Sequence, residues 1–338
     1  MKRVSIITLL LLALTFTQGQ DINFSQFYEL PLLRNPALAG LFNGDVRISM
    51  AYRNQWQSVT TPYQTMALSS ELKFAMGQNS NDFMTLGLQL VNDVAGDSKL
   101  SKIQILPVLN YHKLINENTN SYISAGIMAG AVQQRFDPTK LAFDDQFVNG
   151  SYSLTNPTRQ TFTNTNNSYW DIGAGLSFSS TTSSEVHYYL GAGVFHFTHP
   201  KVAFVPSNDV TLNQKWVVNA GLSAPTSDYD RFILYADYFT QGGNRQVQGG
   251  FLFSHDLVQE EDSKLSLTGG IFYRWKDAVI PVVKLDYYDL AIGISYDVNV
   301  SSLKTASQSR GGIEVTASYK SYLNWRNGTA DKVKCPKF

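Results

Sequence analysis

Apolar and polar side chains alternate with a period of two along most of the chain, from about residue 45 onward. Segment 313–320 is the clearest example, because Ile, Val, Ala and Tyr alternate there with Glu, Thr, Ser and Lys. Successive side chains of a β-strand point to opposite faces, so each such segment predicts a strand with one apolar and one polar or mixed surface. The pattern occurs in about fourteen segments: 46–54, 63–74, 84–90, 102–112, 121–133, 170–178, 187–197, 214–223, 231–240, 246–254, 264–275, 279–286, 289–297 and 313–320.

The lengths of these segments favour a membrane barrel over a soluble sandwich. Many reach the roughly nine residues that a tilted strand needs to cross a bilayer, whereas strands of soluble proteins usually have about five or six. Their even number is typical of bacterial single-chain barrels. Pro107 and Pro281 weaken two of the predicted strands, since proline cannot donate a hydrogen bond to a ladder. The predicted fold is therefore all-β, a transmembrane antiparallel β-barrel of about 14 strands.

The connections between the predicted strands sort by length. If the first strand leaves the periplasm, every even-numbered connection is periplasmic, and these are short: 75–82, 115–120, 180–186, 224–230, 255–263 and 287–288. The external set includes the long connections 134–167, 198–213 and 298–310. Short periplasmic turns with longer external loops are typical of outer-membrane barrels. Aromatic residues near strand ends, such as Trp170, Tyr273 and Trp275, predict girdles at the membrane surfaces.

The N-terminal residues predict export from the cytoplasm. Lys2 and Arg3 precede an apolar run over residues 6–14 and small residues near position 19. This is the pattern of a cleaved secretory signal, so residues 1–20 are predicted to be a signal peptide. No later stretch approaches the roughly 18 apolar residues of a transmembrane helix. The expected location is the outer membrane of a Gram-negative bacterium.

The two ends of the mature chain do not follow the alternating pattern. Residues 21–44 contain Pro31, Asn35-Pro36 and Gly40, which argue against a strand. They predict an irregular segment that lies in the barrel lumen, as a possible plug, or against its periplasmic mouth. The barrel itself is assigned to 45–325 and a C-terminal tail to 326–338. Cys335, the single cysteine, lies in that tail. We interpret it as an isolated tail residue in preference to one with a reactive or metal-binding role.

Composition excludes one class of partner and agrees with a membrane location. Charged residues make up 16% of the chain, below the roughly 25% that is usual for soluble domains. The formal net charge is zero, so nothing in the sequence points to nucleic acid as a partner.

The candidate motifs for chemistry are weak. Gly173-Ala174-Gly175 and Gly191-Ala192-Gly193 do not complete a dinucleotide-binding pattern, and both lie inside predicted strands, where glycine makes room in a crowded lumen. His196 and His199 have a spacing that would suit a metal only if the backbone curled there. The acidic residues lack calcium-loop spacing. We therefore predict no catalytic residue, no metal site and no cofactor, and we expect a protein that is not an enzyme.

Several short stretches, in order along the chain, resemble one family: the PorP/SprF outer-membrane proteins of the type IX secretion system. The stretches are Phe24-Ser25-Gln26-Phe27-Tyr28 with Asn35-Pro36-Ala37 and Gly40; Tyr52-Arg53-Asn54-Gln55-Trp56; Asn92-Asp93 with Ala95-Gly96-Asp97; Gln133-Gln134-Arg135-Phe136-Asp137-Pro138; Tyr296-Asp297-Val298-Asn299 continuing to Lys304; and Ser309-Arg310-Gly311-Gly312. The tail Cys335-Pro336-Lys337-Phe338 also resembles members that end in a short Cys-Pro element.

The resemblance implies a barrel that receives the C-terminal domain of a secreted adhesin or other cargo and supports its secretion and attachment at the cell surface, including adhesins used in gliding motility. The expected partners are that cargo domain, other components of the type IX secretion system, and outer-membrane lipid. Some relatives instead resemble structural parts of the secretion and motility machinery. The family supplies no catalytic residues to transfer to this sequence.

The resembling stretches lie on or beside predicted external connections, so we expect them to share one rim of the barrel. Trp and Arg are enriched in binding hot spots. The hypothesis is a partner-binding surface formed by Arg53, Trp56, Asp93, Asp97, Arg135, Lys304 and Arg310. The alternatives that stay open are that these residues only brace the external loops, that the barrel is a channel or ligand transporter, or that it acts on lipid.

Overall fold

The computed structural model describes residues 21–57, 60–76, 81–153, 155–205, 209–260, 263–302 and 304–323. Within these residues fourteen antiparallel strands close into a barrel, and two short strands pair separately. The predicted all-β barrel is confirmed, and each of the fourteen predicted segments overlaps one barrel strand. The barrel strands are β1 (Val46–Gln55), β2 (Tyr63–Ala75), β3 (Phe83–Ala95), β4 (Leu100–Asn116), β5 (Ser121–Arg135), β8 (Asn166–Thr181), β9 (His187–Phe195), β10 (Lys215–Pro225), β11 (Asp230–Gln241), β12 (Asn244–Glu260), β13 (Ser263–Arg274), β14 (Ala278–Tyr287), β15 (Leu290–Asn299) and β16 (Arg310–Ser321), and the separate pair is β6 (Phe147–Val148) with β7 (Ser151–Tyr152).

The wall is a simple meander in which each barrel strand pairs with the next one along the chain. The first and last strands close it, with a register that runs from Val46 opposite Ser321 to Gln55 opposite Gly312. Closure removes the free strand edges that would otherwise leave backbone groups unsatisfied in lipid.

Both prolines that weaken the predicted pattern lie inside strands, Pro107 in β4 and Pro281 in β14. Pro107 is opposite Leu88 of β3, but the pairing of β4 with β5 is interrupted at this position. The same interruption separates β14 from β15 beside Pro281. The missing N–H of each proline therefore affects one neighbour of the strand, and the barrel tolerates it because the other ladder continues.

The period of two in the sequence matches two different environments across the wall. In β5, Ile123 and Ile127 are exposed on the outer surface, whereas Ser124 and Met128 are buried inside. This is the arrangement of a barrel whose outer face meets lipid. Aromatic side chains at strand ends, including Trp170, Tyr273, Trp275, Tyr287 and Tyr322, are also exposed, as the girdle prediction expects.

The two ends of the barrel differ in the same way as the predicted connections. At one end the turns between strands are short, including 117–120, 226–229 and 288–289, and we assign this end to the periplasm. The other end carries the long connections 136–165 and 196–214, and the β6–β7 hairpin belongs to the first of these.

The segment before β1 lies inside the barrel. It consists of short helical turns at Phe27–Glu29, Pro31–Arg34 and Pro36–Leu38, and most of its residues are buried. Asp21 contacts residues near the external ends of strands, whereas Asp45 binds the last residue of β16 at the periplasmic end. The segment therefore runs down the lumen from the external side to the periplasmic side; residues 21–45 are called the plug below.

No helix in the described ranges has the length and apolar character required to cross a membrane. The predicted signal peptide, Trp325, the tail 326–338 and Cys335 lie outside the described residues.

Candidate functional site

The external end of the plug is held by charged groups of the wall. The carboxylate of Asp21 lies 3.1 Å from Lys102, 3.2 Å from His196 and 3.5 Å from Lys215. His196 also contacts Asp171 at 2.9 Å, so the side chain that suggested a metal site is occupied by two carboxylates. Burial raises the pKa of Asp21, but the surrounding cations outweigh it and hold the pKa well below its usual range.

Below this point the plug binds the two strands that close the barrel. The backbone N–H groups of Ser25 and Gln26 each donate to the carboxylate of Glu314 in β16, at 2.7 Å. The hydroxyl of Ser25 donates to Asp297 of β15 at 2.5 Å, and Arg53 of β1 pairs with the same carboxylate at 2.7 Å. All of these side chains are buried, so they form one closed network of charges and hydrogen bonds.

An aromatic cluster packs on the middle of the plug beside a second ion pair. Arg34 donates two hydrogen bonds to Asp237 of β11, at 2.8 and 2.6 Å. The Arg34 guanidinium also lies 4.9 Å from the ring centre of Phe27, within the range of a cation–π contact. Tyr28 stacks on Tyr235 with ring centres 5.0 Å apart. The bidentate Arg34–Asp237 pair fixes the plug to β11, on a different part of the wall from the Glu314 network.

Glycines in the wall make room for the plug, as the sequence suggested. A Cβ added at Gly126 would lie 2.5 Å from the carbonyl carbon of Pro36 and 2.6 Å from the nitrogen of Ala37. At Gly175 the same atom would overlap the side chain of Asn35. Polar wall residues then bind the exposed backbone, since Asn110 donates to the carbonyl of Ala37 at 2.9 Å.

The periplasmic end of the plug is also bound by charged residues of the wall. Glu71 of β2 accepts from the backbone N–H of Gly40 at 2.8 Å and pairs with Arg47 of β1. Glu29 pairs with Lys284 of β14 at 2.8 Å. The plug therefore contacts strands all around the wall and occupies the lumen from its external end to the cavity below.

Beneath the plug, the lumen opens toward the periplasm in a cavity of about 1050 Å³, called the vestibule below. Tyr28, Tyr189 and Tyr235 lie on its inner surface. Residues of the turns 182–186, 226–229 and 288–289 line its mouth. Sequence reasoning missed this cavity, because its lining comes from many separate strands and turns along the chain.

The stretches that contain the residues proposed for partner binding lie along one arc at the external end of the barrel. Trp56 N–H donates to the carbonyl of Gly311, and Asp137 N–H donates to the carbonyl of Ser98. The connections after β1, β3, β5 and β15 are therefore neighbours around the rim, since their strands are adjacent in the wall.

Only part of that predicted set is accessible at the rim. Asp97, Arg135, Lys304 and Arg310 are exposed, and Trp56 is half-buried. Asp93 is half-buried and accepts a hydrogen bond from Thr65 at 2.6 Å. Arg53 is 4% exposed and faces the lumen, where it binds the plug network instead of a surface.

The rest of the rim is covered by the two long connections, which pack on each other. Phe136 contacts Phe162 and Phe204 edge-to-face, with ring centres 5.6 and 4.9 Å apart. Phe147 on the β6–β7 hairpin and Phe197 remain exposed. Within the described residues, no group of three or more His, Cys, Asp or Glu side chains is arranged to hold a metal ion.

A comparison with protein families decides the identity of this barrel. The family described as "Type IX secretion system membrane protein PorP/SprF" matches residues 16–319, which is most of the chain. The chain belongs to the PorP/SprF family. It is therefore an outer-membrane barrel of the type IX secretion system, as the resembling stretches indicated.

Solved structures resemble this PorP/SprF barrel only distantly. They include the CymD monoaromatic hydrocarbon channel (TM-score 0.46, 11% identity, 91% of this chain and 96% of that chain) and the NalP translocator domain from Neisseria meningitidis (TM-score 0.39, 10% identity, 82% and 89%). BamA from Haemophilus ducreyi lacking three of its POTRA domains is similar at a TM-score of 0.40 (7% identity, 82% and 71%). A search of curated proteins found no match to this chain.

The stretches that resemble PorP/SprF proteins meet in space. Ser25 and Gln26 of the first stretch, Arg53 of the second and Asp297 of the fifth belong to the same buried network. These three stretches therefore share the attachment of the plug to the wall.

Proposed function

We propose that this barrel is a non-enzymatic receptor that binds the C-terminal domain of a secreted adhesin or other cargo at its external rim. It thereby supports secretion of the cargo and holds it at the cell surface, as for adhesins used in gliding motility. The barrel supplies a fixed platform, and the cargo supplies the surface activity.

The observation that carries this proposal is the filled lumen. A channel needs a continuous polar path, whereas here the plug is bound to the wall by Glu314, Asp297, Asp237 and Glu71. Each of these four buried carboxylates has a cationic or N–H partner, and displacing the plug would remove partners from them. This favours a closed platform over the alternative of a diffusion channel or ligand transporter.

The rim offers a surface of the right chemistry for a protein partner. Trp56 and Arg310 are neighbours, because the Trp56 N–H donates to the carbonyl of Gly311. Asp97 lies on the connection between β3 and β4, and Arg135 is the last residue of β5. An aromatic residue beside several exposed charges suits a hot spot with a polar border. The role assigned to Arg53 is internal support of this arc through Asp297.

The test is binding of a purified cargo C-terminal domain to the purified barrel in detergent. We expect Trp56→Ala with Arg310→Ala to weaken binding by about thirtyfold or more, since one hot-spot side chain alone contributes about 2 kcal/mol or more. Asn118→Ala, on an exposed periplasmic turn, is the control and should leave binding unchanged. Equal affinities of the rim variant and the control would overturn the rim assignment.

Two further measurements separate the remaining alternatives. The barrel in planar bilayers should show no stable conductance, and steady conductance would support the channel instead. Purification from the native outer membrane, followed by mass spectrometry, should recover a large surface protein in stoichiometric amount. Recovery of periplasmic or inner-membrane motor components alone would instead indicate a structural part of the machinery.

A further inference from the structure

The mouth of the periplasmic vestibule carries an excess of negative charge. Glu185, Asp228 and Asp289 line it and are exposed, and among the described residues their carboxylates take part in no ion pair. Over the whole lining, seven acidic residues face five basic ones. Three of the basic side chains pair with carboxylates, Arg34 with Asp237, Arg47 with Glu71 and Lys284 with Glu29, and the other two are Arg231 and Lys320. The vestibule therefore favours a positively charged ligand.

The inner surface of the vestibule also leaves hydrogen-bonding groups unused. Tyr28 is 8% exposed and Ser318 is 3% exposed, and both line the cavity. Neither the Tyr28 hydroxyl nor the Ser318 hydroxyl has a hydrogen-bond partner within the described part of the chain. Buried polar groups are normally paired, so these two hydroxyls indicate a ligand with polar groups of its own.

The chain itself delivers a basic segment to this mouth. Tyr322 lines the vestibule, and the N–H of Leu323 donates to Asp45 at 3.0 Å beside it. The next fifteen residues, 324–338, contain four cationic side chains and one carboxylate. The cations are Arg326, Lys332, Lys334 and Lys337, and the carboxylate is Asp331.

Reach and volume both permit this segment to enter the vestibule. Fifteen extended residues span up to about 50 Å, more than the width of a barrel of this size. The cavity of about 1050 Å³ is at the upper end of the roughly 300–1,000 Å³ of small-molecule sites, which leaves room for a short peptide.

We propose that residues 324–338 bind in the periplasmic vestibule, with their Lys and Arg side chains against the carboxylates of Glu185, Asp228 and Asp289. This inference does not depend on the cargo-binding function, because it concerns the opposite end of the barrel.

Cys335 makes the test direct, because it is the only cysteine of the chain. A second cysteine is introduced in the full-length protein as Ser227→Cys, on a turn that lines the vestibule. The control is Asn118→Cys, on an exposed periplasmic turn outside the vestibule lining. Three strands separate β16 from the control turn and four separate it from the vestibule turn, so an unbound segment would not favour Ser227→Cys.

Under mild oxidation we expect the disulfide of Cys335 with Ser227→Cys to form at least about tenfold faster than that with Asn118→Cys, since binding raises the effective concentration. Adding Glu185→Gln, Asp228→Asn and Asp289→Asn, or raising the salt concentration, should remove most of this preference. These changes are on exposed turns, and migration of the unheated barrel on gels checks folding. Equal rates for the two positions, or a preference unaffected by charge neutralisation and salt, would overturn the proposal.

Discussion

The Arg34–Asp237 pair gives the sharpest test of how the plug is held. Arg34 forms a bidentate contact with Asp237, and both side chains are about 95% buried. Removing one partner of a buried pair leaves an uncompensated charge and costs about 3–5 kcal/mol. Asp237→Asn and Arg34→Met are therefore each expected to lower the free energy of unfolding by about that amount.

The double variant should cost little more than either single variant, because neither charge remains. Unfolding in guanidinium, followed by tryptophan fluorescence of the barrel in lipid vesicles, measures all four free energies of this cycle. The matched control is the Lys201–Asp209 pair on an external connection, which has a similar separation of 2.8 Å but is largely exposed. Solvent screens that pair, so its cycle should show no measurable coupling.

The result that would refute the reasoning is additivity. If the cost of the Arg34→Met, Asp237→Asn double variant equalled the sum of the two single costs, the two groups would contribute independently. The pair would then not hold the plug, whatever the stability of the barrel.

Two further predictions concern the fit and the charge of the plug. Gly126→Ala should lower the free energy of unfolding by about 1–3 kcal/mol, because the added methyl group overpacks against Pro36. The control Gly269→Ala should be nearly neutral, because nothing lies within 4 Å of its added Cβ. Equal effects of the two variants in guanidinium unfolding would contradict the close contact. Burial raises the pKa of Glu29, but the adjacent Lys284 outweighs it and the pKa falls to about 2 from an ordinary 4.5. Its stabilising contribution is complete above pH 4.5 and is lost as the pH falls through about 2, so Glu29→Gln should lack this part of the acid sensitivity. The unfolding midpoints of both proteins across this range check it, and identical pH profiles would count against the pair.

The strands could be predicted because their cause is local. Each strand of the wall meets lipid on one face and the lumen on the other, so the alternation of Ile123 with Ser124 records its environment directly. Gly175 and Gly191 also indicated the crowded lumen correctly, since an added Cβ at either position would lie too close to Asn35 of the plug.

The plug and the vestibule could not be predicted in the same way. The helical turns of the plug have three or four residues each, too few for a periodic pattern, and partners far along the chain fix their positions. Gln26, for example, binds Glu314, which is 288 residues away. Neither this contact nor the cavity below it produces a recognisable pattern in any single stretch of the sequence.

The position of Arg53 shows a different limit. The stretch that contains Arg53 lies near the external end, as expected. The prediction did not consider whether the Arg53 side chain faces the lumen or the outer surface. Ile48 and Met50 face outward in β1, so the alternation itself directs Arg53 inward. The family resemblance indicates the position of the residue along the barrel. Only the period of two in the strand indicates the face to which its side chain points.

The contacts of Glu314 have a consequence for the order in which the barrel assembles. Glu314 belongs to the last strand, and the backbone groups of Ser25 and Gln26 that satisfy it precede the first strand. Closing β1 against β16 before the plug has entered would leave this carboxylate buried without those donors, which is costly. We therefore expect the first and last strands to pair around a segment that is already in place. Nearly the whole chain must be synthesised and exported before that step, because the contact joins segments 288 residues apart in sequence.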